Sequence, residues 1–369
     1  MLARLIARLD PCRIENAVIS LTATGTVGHE IQQTGVPVFA LELRPGQVGT
    51  VALWRLIALL RRLRPDVVQT WLYHADLAGI MAGALARRPK IVWNIRCADL
   101  DPADHPRFLP LLLRTLALVS RYTAAIICNS TAGRHAHGQL GYTPRRWEII
   151  PNGFDTGLFR PCPDARIDLR RELGLDPAAL VVGLLARFHP MKDHATFLRA
   201  ATIIAASGAD VHFVAAGRGV AGNPVLDALV ADLLLGNRVH LLPERHDAPR
   251  FLAALDVAVS SSSGEAFPNV VGEAMACGTP CVVTDVGDSA QLVGDAGVMV
   301  PPRDPALLAA GILGILDLDG TAHAALGRAA RERIVSTFSL DAAAAKYERL
   351  YFDLAGRQMK KPEQSVCAG

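Results

Sequence analysis

Short apolar, β-branched runs alternate with amphipathic stretches along the whole chain, the pattern of parallel strands joined by crossover helices. The first half predicts strands at 16–21 (NAVISL), 36–43 (VPVFALEL), 66–72 (DVVQTWL), 90–95 (KIVWNI), 124–129 (AAIICN) and 147–152 (WEIIPN). A second series follows at 180–187 (LVVGLLAR), 211–217 (VHFVAAG), 238–242 (RVHLL), 257–262 (VAVSSS), 280–285 (PCVVTD) and 297–301 (GVMVP). Between the two, PNGFDTGLFRPCPDAR is rich in turn formers and prolines and reads as a linker over 156–176. From about residue 304 the pattern is helical, ending in LDAAAAKYERLYFDLAG.

The expected fold is α/β, with two Rossmann-like doubly wound domains facing across a cleft. Residues 1–155 form the first domain and 177–338 the second. A last helix over 339–357 packs back on the first domain, and the polar tail 358–369 is disordered.

Length agrees with two domains, since 369 residues exceed what one core usually serves. Apolar residues make up 51% of the chain, yet no run reaches the roughly 18 that a membrane-spanning helix needs. The seven cysteines include no C-x-x-C pair and no Cys/His cluster, which argues against a disulfide framework or a structural zinc site. No secretory signal precedes the first helical segment, so the expected address is cytoplasmic. A net charge of +3 gives no reason to expect nucleic acid as a partner.

In doubly wound folds ligands bind beyond the carboxyl ends of strands, which selects few positions. One is GEAFPNVVGEAMACG, 264–278, with Glu265 and Glu273 eight residues apart. On one continuous helix they would lie about 80° apart around the axis and share no face. Pro268 fits a first helical turn, which leaves Glu265 in the loop ahead of the helix and Glu273 inside it. The amides of Phe267, Asn269 and Val270 then open toward a phosphate, while the carboxylates suit sugar hydroxyls. The plain alternative is one glutamate complementing the helix dipole and another in solvent. A second position is GLLARFHPMKDH, where Arg187 and Lys192 follow a strand five residues apart and suggest a diphosphate clamp.

With these motifs on the page, the chain resembles the retaining, nucleotide-sugar-dependent glycosyltransferases of family 4, also called glycosyl transferases group 1, which have two Rossmann-like domains (the GT-B type). Their E-x7-E motif corresponds to Glu265–Glu273. The second half matches through LLARFHPMKDH, AAGRG, LPERHDAPRFLAALDVAVSSSSGEAFPNVVGEAMACGTPCVVTDVGDSAQLV and GVMVPPRDP; the first matches through VVQTWLYHADLAG, IVWNIRC and PNGFD.

The resemblance implies that Glu273 binds ribose hydroxyls, Glu265 approaches the donor sugar, and Arg187 and Lys192 hold the diphosphate. It also implies donor contacts from Phe267, Asn269, Val270, Gly217 and Gly219, with Arg245 near the base. Transfer with retention and no metal or other cofactor follows from the same likeness, the cations doing a metal's work. Aspartate triplets at Asp99–Asp101 and Asp317–Asp319 resemble a metal-binding triplet of the other glycosyltransferase fold, but neither ends a predicted strand.

Three departures accompany the likeness. The first domain is expected to lack the strand and glycine-rich turn with which relatives open; a glycine common after the first motif glutamate is Ala266; and the usual first-domain histidine is displaced, leaving Arg96 and His74 as candidates. Expected partners are a nucleotide-sugar donor and a saccharide or lipid-linked acceptor in polysaccharide, lipopolysaccharide or glycolipid synthesis. WRLIALLRRLRP, with Arg55, Arg61, Arg62 and Arg64 beside Trp54 and Leu56, suggests peripheral contact with an anionic membrane. A phosphorylase or epimerase of the same architecture, or a non-catalytic nucleotide-sugar-binding protein, is the competing reading.

Overall fold

Twelve parallel strands are present in the computed structural model, which describes residues 1–43, 49–98, 108–208 and 210–358. They fall into two units, Met1–Gly153 with Leu340–Gly369, and Phe154–Ser339.

In the first unit, β1 (Val18–Ser20) pairs with β2 (Val38–Ala40) as a sheet of their own. A separate four-stranded sheet runs β3 (Val67–Trp71), β4 (Lys90–Ile95), β5 (Ala125–Cys128) and β6 (Trp147–Ile149), in that order. Side chains alternate across its pleat. Val92, Ala125 and Ile127 bury against Leu5, Ile150 and Tyr347 on one face; Ile91, Trp93, Ile126 and Cys128 bury against Leu116 and Tyr142 on the other. Among the described residues no strand bridges β1 to β3, yet Ile19 and Val68 from the two sheets, with Leu41 just past β2, join one cluster with Leu56, Ile57 and Ala82 of helices Thr50–Leu63 and Tyr73–Leu85. The last helix, Leu340–Ala355, contributes Ala344, Tyr347 and Leu350 to this unit's core.

The second unit is one six-stranded sheet of β7 (Leu180–Leu185), β8 (Val211–Ala216), β9 (Val239–Leu242), β10 (Val257–Ser260), β11 (Cys281–Thr284) and β12 (Val298–Val300). Its order, β12-β11-β10-β7-β8-β9, is the doubly wound arrangement in which chain direction across the sheet reverses between β7 and β10. Both faces are covered, as all-parallel sheets require. Val181, Val214, Ala258 and Val283 point to one core, and Val182, Phe213, Val257 and Val282 to the other.

The linker expected over 156–176 is corrected. Helix Pro163–Leu173 lies there and belongs to the second unit, with Ala165 and Leu169 in its core. Pro163, one of the prolines that suggested an open connection, begins this helix, and Gly174 ends it at φ 67°, the left-handed conformation glycine adopts freely. Arg170, fully buried, donates to Asp256 at 2.6 Å and to the Ala254 carbonyl, while Asp256 also accepts from the Val181 amide. The segment is thereby tied to the starts of β7 and β10. The expected tail, apart from residue 358, and the Asp99–Asp101 triplet lie outside the described residues.

Candidate active site

Beyond the ends of β7 and β10, at the switch point, the second unit brings Lys192 and Glu265 together. Beyond β7 the chain passes Arg187, makes a single turn over Pro190–Lys192, and enters helix His194–Ala206. Asp193 caps that helix from the left-handed region, φ 45°, accepting from the Thr196 amide at 3.1 Å. Beyond β10 come the serines, Glu265, and helix Asn269–Ala276. Lys192 and Glu265 form an ion pair across the gap, with side chains 25% and 14% exposed. Glu265 also accepts from the Ser262 hydroxyl at 3.1 Å.

The serine run is what holds this pair in place. Ser261 shares its hydroxyl between the carbonyls of Lys192 and Asp193, each at 3.0 Å, and the Ser263 amide donates to Met191 at 2.8 Å. Thr284, at the end of β11, donates to the Ser262 carbonyl at 2.6 Å. None of these serines is among the site residues expected from the sequence. Four hydroxyl residues at the end of an apolar strand were the available signal, because short side chains that bond backbone carbonyls are how a loop is tied down.

Two glycines permit the backbone approach on either side. A Cβ on Gly217 would lie 2.1 Å from the Ala186 carbonyl oxygen, directly ahead of Arg187, so only glycine lets the ends of β7 and β8 close up. Gly219 follows at φ 75°, beside Phe188. Arg187 itself is exposed and pairs with no carboxylate among the described residues.

Pro268 is the N-cap of helix Asn269–Ala276, one position earlier than the first-turn placement expected from sequence. Asn269 and Val270 open the helix, and Glu273 lies more than a turn inside it, half-buried. Glu265 and Glu273 therefore sit on different local structures. Phe267 has a buried side chain, stacked on Phe154 at 6.1 Å and near Phe338, so only its backbone is available to a ligand.

Arg245 stands apart from that group, at the loop after β9. It bonds Asp247 at 2.7 Å and pairs with Glu172, which raises its pKa further and draws that of Asp247 down. The guanidinium lies over Phe251, 5.6 Å from the ring centre.

His74 and Arg96 belong to the first unit. His74 is exposed on helix Tyr73–Leu85, its ring edge-on to Phe108 at 5.7 Å. Arg96 follows β4 directly, half-buried, with its guanidinium 5.1 Å over the Trp71 ring, 3.3 Å from the Asn94 amide oxygen and bonded to Asn152. Burial lowers its pKa against the opposing pull of Tyr347.

Of the second aspartate triplet, Asp317 ends helix Pro305–Leu316, and Asp319 caps helix Gly320–Thr337 by accepting from Thr321 and Ala322, both at 2.8 Å. No single described helix is long and apolar enough to cross a membrane.

A doubly wound sheet with charged side chains paired at its switch point, in one chain with a second parallel α/β unit, defines a two-unit α/β protein. The chain belongs to the glycosyltransferases: residues 1–158 match Glycosyltransferase Family 4 and residues 179–317 match Glycosyl transferases group 1. Crystal structures of HepE from Anabaena match over 95% of both chains at 26% identity, with TM-scores of 0.82 for the complex with UDP and 0.79 for that with UDP-glucose. The D-inositol 3-phosphate glycosyltransferase of Mycobacterium marinum is 33% identical over 61% of this chain and 50% of its own length. The UDP-Gal:alpha-D-GlcNAc-diphosphoundecaprenol alpha-1,3-galactosyltransferase of Escherichia coli is 26% identical over 82% of this chain and 79% of its own. The chain spans about half the length of the first curated relatives it matches.

Proposed function

We propose that the protein transfers a sugar from a nucleoside-diphosphate sugar to an acceptor hydroxyl with retention of anomeric configuration, in the synthesis of a cell-surface polysaccharide, lipopolysaccharide or glycolipid. The observation that carries the reading is the Lys192–Glu265 pair at the switch point, with Arg187 five residues before Lys192 and helix Asn269–Ala276 starting four residues after Glu265. Cations and helix amides suit a diphosphate, and carboxylates suit hydroxyls. In this reading donor binding draws Lys192 from Glu265 to the phosphates, which frees the carboxylate to accept hydrogen bonds from the sugar. Glu273 takes the ribose. As the glycosidic bond breaks, negative charge grows on the departing diphosphate, and Arg187 and Lys192 stabilise it without a metal ion. The acceptor hydroxyl attacks from the side the diphosphate leaves, and the diphosphate takes its proton.

Cytoplasmic work at a membrane surface is part of the same proposal. Helix Thr50–Leu63 buries Ala52, Leu56, Ile57 and Leu60 and leaves Val51 and Trp54 64% and 62% exposed beside Arg55, Arg61 and Arg62. Tryptophan among arginines suits an anionic lipid interface. Flotation with vesicles containing anionic lipid at low salt tests it; protein left unbound refutes it.

The main test is nucleoside-diphosphate release from a panel of nucleotide sugars, with and without saccharide or lipid-linked acceptors and with chelator present, followed by NMR of the product anomer. UDP-glucose is the first donor to try, since HepE was crystallised with it. Acceptor-dependent release with retained configuration and no loss to chelator is expected. A donor panel that neither binds nor turns over refutes the activity, and an inverted product refutes the stereochemistry.

A further inference from the structure

Among the described residues, Arg170, Arg245 and Arg331 are buried or half-buried cations satisfied in ways that Arg96 is not. Arg170 and Arg245 meet carboxylates. Arg331 has none, but spends its donors on the carbonyls of Phe159, Thr156 and Ala276. Around Arg96 the acceptors are the side-chain amides of Asn94 and Asn152, with the Tyr347 phenol adjacent. No carboxylate pairs with it among the described residues. Neutral amides fix the plane of a guanidinium without cancelling its charge, so among the described residues Arg96 has no counter-charge.

Its framework is rigid. Asn94 is 1% exposed and donates to Tyr347 at 2.8 Å, Tyr347 is fully buried, Asn152 is 5% exposed, and Trp71 covers one face of the guanidinium. Trp71 ends β3, Arg96 follows β4 and Asn152 follows β6, so the group sits at the carboxyl edge of this unit's own parallel sheet, where α/β folds receive ligands. Next to Trp71, Leu72 is held at φ 76°, ψ 149°, a backbone region nearly confined to glycine, and is 73% exposed. Strain of that kind collects at ligand sites.

We infer that Arg96, set by Trp71, Asn94 and Asn152, is an anion-receiving subsite of the first unit, and that the acceptor of the transfer carries a phosphate or carboxylate group that docks there. The statement about the acceptor rests on the glycosyltransferase reading; the subsite itself does not. A guanidinium whose plane is fixed but whose charge is unspent binds such a group through paired, charge-assisted hydrogen bonds.

Two measurements test the inference and fail separately from the proposed activity. The first is a thermal-shift titration of the full chain with inorganic phosphate and with glucuronate. It uses a background in which Arg187→Gln and Lys192→Met remove the second unit's cations. A saturable rise in Tm is expected that Arg96→Gln abolishes and Arg96→Lys, which keeps the charge but loses the fork, weakens at least threefold. Responses equal with and without Arg96→Gln overturn the subsite. If Arg96→Gln does not fold, the Lys variant decides alone, and an undiminished response overturns the inference. The second uses the wild-type protein and its donor, comparing a sugar phosphate and a uronic acid with the matching neutral sugar as acceptors. At least a tenfold preference in kcat/KM for one acid is expected, and which acid wins separates phosphate from carboxylate. Equal use of all three overturns the acceptor assignment. Turnover of none, with the anion response intact, leaves the subsite standing and counts against the proposed transfer.

Discussion

Lys192 and Glu265, 73 residues apart in sequence, pair side chain to side chain beyond the ends of neighbouring strands β7 and β10. A largely buried ion pair loses in desolvation much of what it gains in attraction, so its charges are better explained by what they meet than by what they hold together. Lys192→Met should therefore lower kcat on the order of 100-fold, the usual cost of removing one group that stabilises developing charge. Its Tm should move by only about 3 °C. Initial rates and melting curves on the same preparation check this, and a variant that loses stability but not turnover reverses the assignment.

The backbone behind Glu265 is equally constrained. Gly287 has φ 58°, and a Cβ there would lie 2.1 Å from the Glu265 carbonyl oxygen. Gly287→Ala should destabilise by roughly 2–3 kcal/mol through conformational strain and the forced shift together, and should lower turnover by displacing Glu265. Gly222, at φ 66° with open space around its Cβ position, provides the control. Gly222→Ala should cost about 1 kcal/mol from strain alone and leave the rate unchanged. Chemical denaturation and initial rates of both variants separate the two effects.

Strand positions were readable because buried parallel strands write themselves as apolar runs, and each predicted run contains a strand. The ends were not. The run 16–21 yields strand only over Val18–Ser20, since apolarity marks what can be buried while pairing decides what is strand. Pro163 misled for a related reason: a residue that breaks a helix from within also begins one, and only the packing of Leu169 and Arg170 shows which role applies. The placement of Lys192 and Glu265 beyond strand ends and of Glu273 inside a helix was legible from spacing. The work of Ser261 was not, because its partners are carbonyls 68 and 69 residues away, which carry no mark in the sequence.

Asp76 gives the first unit a pH dependence of definite sign. It is 1% exposed, and burial raises its pKa from 3.8 to about 8 against the lowering effect of the Thr70 hydroxyl. Between those values the folded protein keeps a proton that the unfolded chain has released. The folded state thus binds more protons, and this group's contribution to stability is largest below pH 3.8 and declines as pH rises toward 8. The limiting slope is about 1.4 kcal/mol per pH unit. Asp76→Asn keeps the shape and removes the titration, so its stability should fall less than that of the wild type between pH 5.5 and 8. Urea denaturation across that range, followed through first-unit tryptophan fluorescence, would show parallel curves if the aspartate ionises normally.

Glu273 is best tested by asking which atom of the nucleotide it holds. A half-buried carboxylate more than a turn inside helix Asn269–Ala276 can accept from a ribose hydroxyl, and a hydrogen bond to a charged group contributes about 1.5–3 kcal/mol. Glu273→Ala should weaken nucleoside-diphosphate binding roughly 10- to 100-fold, with a smaller ligand-induced rise in Tm at fixed nucleotide. Removing a ribose hydroxyl from the ligand should weaken binding to the wild type by a similar factor. If the carboxylate and that hydroxyl are partners, the deoxy ligand should cost the variant almost nothing further, because the interaction is already gone. Calorimetric titration of both proteins with both ligands completes the cycle, and two losses that simply add would place Glu273 away from the ribose.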